Sequence, residues 1–155
     1  MNSENIRPSG PAERAAILAL KRAAYEPLTE IAGGTPLPLL ADYAEVLASA
    51  ETWVVGPEGG PLDAALILQH DDGATLVWSV AVRPGGQSKG LGRELLTLAE
   101  ERARAAGSSA MRLYTSVKFE RNRRIYRDFG YREVGEEVVG EQDPPWIIVH
   151  MEKPL

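Results

Sequence analysis

A glycine-rich stretch follows directly on an apolar run in the middle of the chain. The apolar run covers residues 75–82 and is typical of a strand that is buried on both faces. The stretch reads Gln87, Ser88, Lys89, Gly90, Leu91 and Gly92. Apolar residues at helical spacing follow it over residues 91–106. Because backbone N–H groups at a helix start have no intrahelical partner and bind phosphate well, the stretch predicts a site for a phosphorylated cofactor.

Two other kinds of phosphate-binding loop do not fit these residues. A P-loop needs the sequence Gly-Lys-Ser/Thr, but here Lys89 precedes Gly90 and no hydroxyl residue follows. A dinucleotide-binding loop needs a third glycine where this chain has Leu95, and an acidic residue at the end of the next strand, which is missing near Thr115. Taken alone, the stretch is also compatible with a tight turn that binds nothing.

A second pattern places three side chains on one face of a predicted helix. Asn122, Tyr126 and Phe129 are spaced i, i+4 and i+7, so a helix over residues 119–129 puts them on the same side. Gly130 then predicts a left-handed helix end, after which the next strand begins. Taken alone, Tyr126 is more typical of a half-buried core tyrosine.

Together the two patterns resemble the signatures of the GNAT N-acetyltransferase superfamily, and the resemblance extends over essentially the whole chain. Gln-x-x-Gly-x-Gly is similar to the family's pyrophosphate-binding signature, and Asn122 with Tyr126 is similar to its second signature. The resemblance implies one acetyltransferase domain over residues 1–155, with acetyl-CoA as co-substrate. It implies transfer of an acetyl group to a primary amine of a small molecule, peptide or protein, by direct attack in a ternary complex. The alternative is a non-catalytic acyl-CoA-binding module of the same fold.

The resemblance also implies roles for individual residues. Tyr126 would protonate the departing thiolate, and the backbone N–H of Val80 would donate to the thioester carbonyl as it gains negative charge. The residues expected to bind the coenzyme are Val80, Ala81, Val82, Gln87, Ser88, Lys89, Gly90, Leu91, Gly92, Arg93, Asn122 and Tyr126. Four arginines are expected either to form a solvated face or to meet the phosphates of the coenzyme: Arg121, Arg123, Arg124 and Arg127.

A residue that takes a proton from the amine is missing from both patterns. Some members of the family carry a glutamate early in the central strand, where this chain has Leu76, which cannot accept a proton. Five side chains in or near loops are candidate bases, although each is more typical of a solvated loop: Glu26, Glu30, His70, Glu141 and Asp143. Otherwise the amine loses its proton through water.

The acceptor pocket is expected between the first two helices and the last two strands, as the resemblance implies. Tyr25, Tyr43 and Trp146 are therefore candidate wall residues, and each fits ordinary packing equally well. Such a pocket would suit a small amine or a peptide N-terminus.

Composition narrows the function classes further. A chain of 155 residues with 44% hydrophobic and 25% charged residues is typical of one globular domain. The net charge of −5 argues against nucleic-acid binding and is compatible with a cationic amine. Since the chain has no cysteine and only two histidines, we expect no metal site. Since no apolar run is long enough for a membrane span, we expect a cytoplasmic protein with no membrane partner, and the resemblance leaves a homodimer open.

The elements that must position these residues follow from periodicity and turn signals. Strands are predicted at residues 5–7, 52–55, 63–69, 75–82, 111–115, 131–139 and 147–152. Helices are predicted at residues 12–24, 42–50, 91–106 and 119–129. In the first helix, a partly apolar face is made by Ile17, Leu18, Leu20 and Lys21. This order indicates an α/β (α+β) fold with a mixed, mostly antiparallel sheet of six to seven strands and helices on both faces. The resemblance implies a splay between the two central strands.

Overall fold

The computed structural model describes residues 6–26, 43–84, 90–141 and 145–155. The strands in these ranges are β1 (Ile6–Pro8), β2 (Glu51–Val55), β3 (Ala64–Asp71), β4 (Ala74–Val82), β5 (Ala110–Ser116), β6 (Arg132–Val139) and β7 (Trp146–Pro154). The α-helices are α1 (Arg14–Tyr25), α2 (Tyr43–Ser49), α3 (Leu91–Ala105) and α4 (Glu120–Asp128), and a one-turn 3-10 helix, Pro11–Glu13, precedes α1. The predicted order of elements is therefore confirmed in these ranges. No helix among them is long and apolar enough to cross a bilayer.

The strands form one seven-stranded sheet in the order β1-β2-β3-β4-β5-β7-β6. Neighbouring strands are antiparallel except for β4 and β5, which are parallel. The predicted mixed, mostly antiparallel sheet is thus confirmed. The single parallel pair lies at the centre, where α3 provides the crossover connection that a parallel pair requires.

The parallel pair is joined at only one end. β4 and β5 pair over three positions, from Ala74 opposite Ala110 to Leu76 opposite Arg112. Beyond these positions β4 continues to Val82, while β5 pairs with β7 as far as Ser116. The two strands therefore diverge into a gap, which confirms the expected splay.

Helices cover both faces of the sheet. On the face that we call the α3 face, Leu91, Leu95 and Ala99 form an apolar stripe at helical spacing, because they recur every four residues. This stripe packs in one core with Leu66 and Leu68 of β3. On the opposite α1 face, α1 packs in a second core whose members include Ile17, Leu20, Ala65, Ile67 and Ala81. β3 and β4 lie between two cores, which explains why the middle of the sheet reads as continuous apolar sequence.

A β-bulge in β4 redirects its side chains just before the gap. Ser79 lies opposite Ile67 and Val77 lies opposite Leu68, so Trp78 is an extra residue in β4. After the bulge, Val80 packs on the α3 face and Ala81 packs on the α1 face. A bulge also increases the local twist of a strand, so it helps β4 to turn away from β5.

Ion pairs and a glycine hold α4 beside the gap. Arg123 donates to Glu133 of β6 at 2.8 Å and to the carbonyl oxygen of Val117 at 2.8 Å. Gly130, with a φ of +106°, ends the helical segment in the left-handed region that glycine adopts readily. Lys153 of β7 donates to the carbonyl oxygen of Phe129 at 2.8 Å. The orientation of α4 toward the sheet is thus fixed at both of its ends.

Candidate active site

A cleft of about 390 Å³ opens where β4 and β5 separate. Its walls come from the end of α1, the end of β4, the start of α3 and one face of α4. The lining residues are Ala24, Tyr25, Val80, Ala81, Val82, Gly90, Gly92, Arg93, Leu96, Arg121, Asn122, Ile125 and Tyr126. The described residues that were predicted to bind a coenzyme line this cleft, except Leu91, which lies in the first turn of α3. Gln87, Ser88 and Lys89 lie outside the described residues.

The backbone of β4 faces the cleft at alternate residues. Arg83 N–H donates to the carbonyl oxygen of Asp63 at 2.8 Å, which marks Arg83 and Asp63 as a hydrogen-bonded antiparallel pair. Because such pairs alternate, the N–H and C=O groups of Val80 and Val82 point away from β3. β5 no longer pairs with β4 at this level, so these groups are directed at the gap. They can bind an extended ligand as a neighbouring strand would.

The first turn of α3 closes one end of the cleft. Gly90 has a φ of +77° and precedes the helix, and its carbonyl oxygen accepts from Glu94 N–H at 3.1 Å. The N–H groups of Leu91, Gly92 and Arg93 therefore precede the first intrahelical bond. A Cβ atom on Gly92 would lie 3.9 Å from Val82 Cγ2, which shows how close this turn comes to β4. Helix N–H groups beside β4 suit an anionic group.

Two arginines add positive charge to this end of the cleft. Arg93 and Arg121 both line it, the first from α3 and the second from α4. The other basic residues of α4 differ in their roles. Arg123 and Arg127 lie 2.8 Å and 3.9 Å from Glu133, and Arg124 is exposed. Of the four arginines considered from the sequence, only Arg121 lies in the cleft.

Tyr126 presents its side chain to the cleft from α4. Its ring packs edge-on against Tyr131, with 6.1 Å between the ring centroids. Burial raises the pKa of the Tyr126 hydroxyl, and the nearby hydroxyls of Tyr25 and Tyr131 raise it further. The phenol is therefore protonated at neutral pH and can act as a proton donor. Asn122 lines the same wall one helical turn earlier, as the i, i+4 spacing predicts.

The predicted wall residues lie in three different places. Tyr25 lines the cleft from the last turn of α1, and burial followed by the nearby Tyr114 raises its pKa to about 12. Trp146 begins β7 opposite Val139 and is not among the described residues that line the cleft. Tyr43 is the first residue of α2, and its side chain lies outside the described part of the structure.

Tyr114 lies close to Tyr25, which lines the cleft, and the sequence analysis did not name it as a candidate. Its neighbour Leu113 is buried in the core of the α3 face, so the alternation of side chains along β5 places Tyr114 on the opposite face. Tyr114 lies two positions beyond Arg112, the last residue of β5 that pairs with β4. Its ring lies 5.9 Å from that of His150, and His150 Nε2 lies 2.8 Å from Glu137 Oε1. Burial, and then Glu137, raise the pKa of Tyr114. The alternation was visible in the sequence, but the register beside the gap was not.

None of the described candidate bases lines the cleft. His70 is bound to Glu51 at 2.9 Å and to Thr75 at 2.8 Å, at the end of β4 that is joined to β5. Glu26 and Glu141 are exposed. Leu76 occupies the last paired position before the gap. Glu30 and Asp143 lie outside the described residues.

The described residues also hold no group of three or more His, Cys, Asp or Glu side chains that could bind a metal ion. The polar groups that do converge on the cleft are backbone N–H groups, arginines, an asparagine and tyrosines. Such donors fit a phosphorylated, neutral-amide ligand.

The chain matches the sequence model of the acetyltransferase (GNAT) family over residues 17–131. It is 36% identical over 84 residues to a mycothiol acetyltransferase of Beutenbergia cavernae, a match that covers 53% of this chain and 28% of that protein. It is 34% identical over 91 residues to an IAA acetyltransferase of Azospirillum brasilense, which covers 59% of this chain and 58% of that protein. The chain therefore aligns with less than two thirds of the length of either relative.

The fold is similar to that of solved structures over nearly the whole chain. A GCN5-related N-acetyltransferase from Rhodopseudomonas palustris superimposes with a TM-score of 0.79 at 19% identity, covering 97% of this chain and 94% of the other. At this identity the likeness concerns the fold alone.

Proposed function

The chain belongs to the acetyltransferase (GNAT) family, and from this premise we propose that it transfers an acetyl group from acetyl-CoA to a primary amine of a small molecule, peptide or protein. The amine attacks the thioester directly in a ternary complex. One observation carries the proposal: Tyr126, a half-buried and protonated phenol, lines a cleft into which the backbone groups of Val80 and Val82 are directed.

The residues of the cleft fit acetyl-CoA in charge and in hydrogen-bonding groups. Arg93, Arg121 and the first N–H groups of α3 would hold the pyrophosphate. Val80 and Val82 would hydrogen-bond the amides of the pantetheine arm. Gly92 allows the phosphates to approach the helix, because a side chain there would project between α3 and β4.

The reaction needs a donor for the carbonyl and a proton for the leaving sulfur. As the amine nitrogen bonds to the carbonyl carbon, the oxygen gains negative charge, and the N–H of Val80 stabilises it. The carbon–sulfur bond then breaks, and Tyr126 gives its proton to the thiolate. Because burial keeps the pKa of Tyr126 high, the phenol is in the donating form at neutral pH.

The acceptor would enter from the α1 face of the gap. Tyr25 and Tyr114 lie on this side, and Glu137 is close enough to raise the pKa of Tyr114. Two aromatic rings with a nearby carboxylate favour an amine that arrives as an ammonium ion. The two relatives are named after different molecules, so the acceptor of this chain is proposed only as a primary amine.

A non-catalytic acyl-CoA-binding module is the second candidate, since no described carboxylate or histidine lines the cleft as a base. Tyr126 argues against it. A module that only bound the coenzyme would have no need of a phenol at the end of the gap where the sulfur lies.

Thermal shift and thiol release together test the proposal. We expect acetyl-CoA, and not ATP, to raise the Tm of the protein. Release of free coenzyme thiol is then measured with tyramine, spermidine, alaninamide and a peptide with a free N-terminal alanine. Acetylation of at least one amine supports the enzyme. A Tm shift with no acetylation of any amine selects the binding module, and no Tm shift with acetyl-CoA overturns both candidates.

A further inference from the structure

A lysine lies directly behind the wall of the cleft. Lys21 of α1 is 0% exposed, and its Nζ donates a hydrogen bond to Ser79 Oγ of β4. Tyr25 follows Lys21 by one helical turn, and Ala81 follows Ser79 by two residues on the same face of β4. Since Tyr25 and Ala81 line the cleft, Lys21 and Ser79 form the next layer behind it.

Among the described residues, the groups recorded around Lys21, apart from Ser79, are aromatic and apolar. Its Nζ lies 4.4 Å from the centroid of the Tyr25 ring, and the core around it on the α1 face contains Ile17, Leu20 and Ile67. Within the described part of the chain, no Asp or Glu forms an ion pair with it.

Charged groups on the elements packed against α1 are engaged or exposed. In the 3-10 helix, Glu13 accepts from Arg7, and in α2, Glu45 is exposed. In β3, His70 is bound to Glu51 and Asp71 is exposed. β4 contributes Ser79 and no ionisable side chain. Burial lowers the pKa of Lys21 to about 7, so a large fraction of its amino group is neutral under physiological conditions.

Resting on the function proposed above, we propose that Lys21 is the proton acceptor for the attacking amine and that it acts through Ser79. Ser79 directly precedes Val80, the residue whose N–H is directed at the gap, so the Ser79 side chain and this N–H belong to adjacent positions of β4. Lys21 does not line the cleft and is in this sense a positioning residue that completes a proton path.

The proton balance of this step is complete. The acceptor ammonium gives one proton to Ser79 Oγ through a bridging water, because Ser79 lies behind the cleft wall, while the Ser79 hydroxyl gives its proton to the lone pair of Lys21 Nζ. The neutral amine then attacks, the carbon–nitrogen bond forms and the carbon–sulfur bond breaks. Tyr126 protonates the sulfur and recovers a proton from the newly formed amide nitrogen. Lys21 finally releases its proton to solvent, which matches the net release of one proton per ammonium acetylated.

The test compares the pH dependence of kcat/KM for the wild type and Lys21→Met, with the panel amine that the wild type acetylates fastest. Methionine has a similar length and no ionisable group. We expect kcat/KM of Lys21→Met at pH 7.5 to fall by about 10²–10⁴-fold, with acetyl-CoA affinity within about threefold of the wild type. We expect the inflection near the pKa of Lys21 to disappear, and the variant to recover as the pH approaches the pKa of the amine itself.

Two further variants separate a proton path from packing. Ile17→Val removes a buried methyl group from the same helix and should leave the shape of the pH profile unchanged. Ser79→Ala should lower kcat/KM at neutral pH even if Lys21→Met fails to fold. A Lys21→Met profile of wild-type shape, or a Ser79→Ala variant with wild-type kcat/KM, overturns the assignment of Lys21. A wild type that acetylates no amine overturns the proposed function as well, so the two failures are distinguishable.

Discussion

Replacing Lys21 by methionine should stabilise the protein, and the gain should depend on pH. The pKa of Lys21 is about 7 in the folded state, against 10.5 for an ordinary lysine. Between these values the unfolded chain binds a proton that the folded protein does not bind. The stability of the wild type therefore rises with pH across this window. The buried ammonium has its full destabilising effect only below pH 7. Methionine has no ionisable group, so it has no such destabilising effect at any pH.

The separation of the two pKa values sets the size of the effect. At about 1.36 kcal/mol per pH unit, the difference between the two pKa values limits the gain in the free energy of unfolding of Lys21→Met at low pH to about 5 kcal/mol. The same linkage predicts that this gain shrinks by about 2.5 kcal/mol between pH 6 and pH 9. Loss of the hydrogen bond to Ser79 offsets about 1 kcal/mol of this gain.

Urea unfolding of both proteins at pH 6, 7, 8 and 9 measures this difference. Every other titrating group is common to the two proteins and cancels when their free energies of unfolding are subtracted. Ile17→Val is the matched control, since its effect should be the same at all four pH values. A difference between Lys21→Met and the wild type that stays constant from pH 6 to pH 9 would refute the reasoning, because Lys21 would then titrate alike in both states.

Two further variants test the cleft and the frame around it. Gly92→Ala should raise the free energy of unfolding by up to about 1 kcal/mol, because alanine favours the helix and its Cβ has ordinary contact with Val82, yet it should weaken acetyl-CoA binding about tenfold in calorimetry. Gly135→Ala on β6 is the control and should leave the affinity unchanged; equal affinities for both variants would contradict the phosphate site. Glu13→Gln should lower stability by about 1–2 kcal/mol at pH 7, because Glu13 accepts from Arg7 at 2.9 Å and 2.6 Å. Since Arg7 lowers the pKa of Glu13, this loss should fade as the pH falls through that lowered value, and urea unfolding with no difference at pH 7 would count against the ion pair.

Local patterns were sufficient to predict the elements and one wall of the cleft. Asn122 and Tyr126 share a face because helical periodicity alone brings i and i+4 together. Gly90 was found because a glycine-rich stretch lies between an apolar run and a helical pattern, and the structure shows that Gly90 has a φ of +77° there. Such features depend on a few neighbouring residues, so a single sequence contains them.

Features that depend on register between distant strands could not be read in this way. The bulge at Trp78 exists only relative to β3, and the position of Tyr114 beside the gap depends on where pairing with β4 ends. Lys21 was recognised as part of a partly apolar face, but lysine is usually exposed, and only the packing of α1 on β4 buries it. Trp146 stays a prediction, since it does not line the described cleft and its place at an acceptor pocket depends on contacts between distant elements.

The acetyl-transfer step of Tyr126→Phe tests the central claim most directly. In a single turnover, protein loaded with acetyl-CoA is mixed with the panel amine that the wild type acetylates fastest, and the rate of amide formation is followed beside the Kd of acetyl-CoA. Because phenylalanine keeps the ring that packs against Tyr131 and removes only the hydroxyl, we predict a transfer rate at least about 100-fold lower with a Kd within about threefold of the wild type. A transfer rate equal to that of the wild type, or a Kd that collapses with the rate, would contradict the role of Tyr126 as the acid that protonates the thiolate.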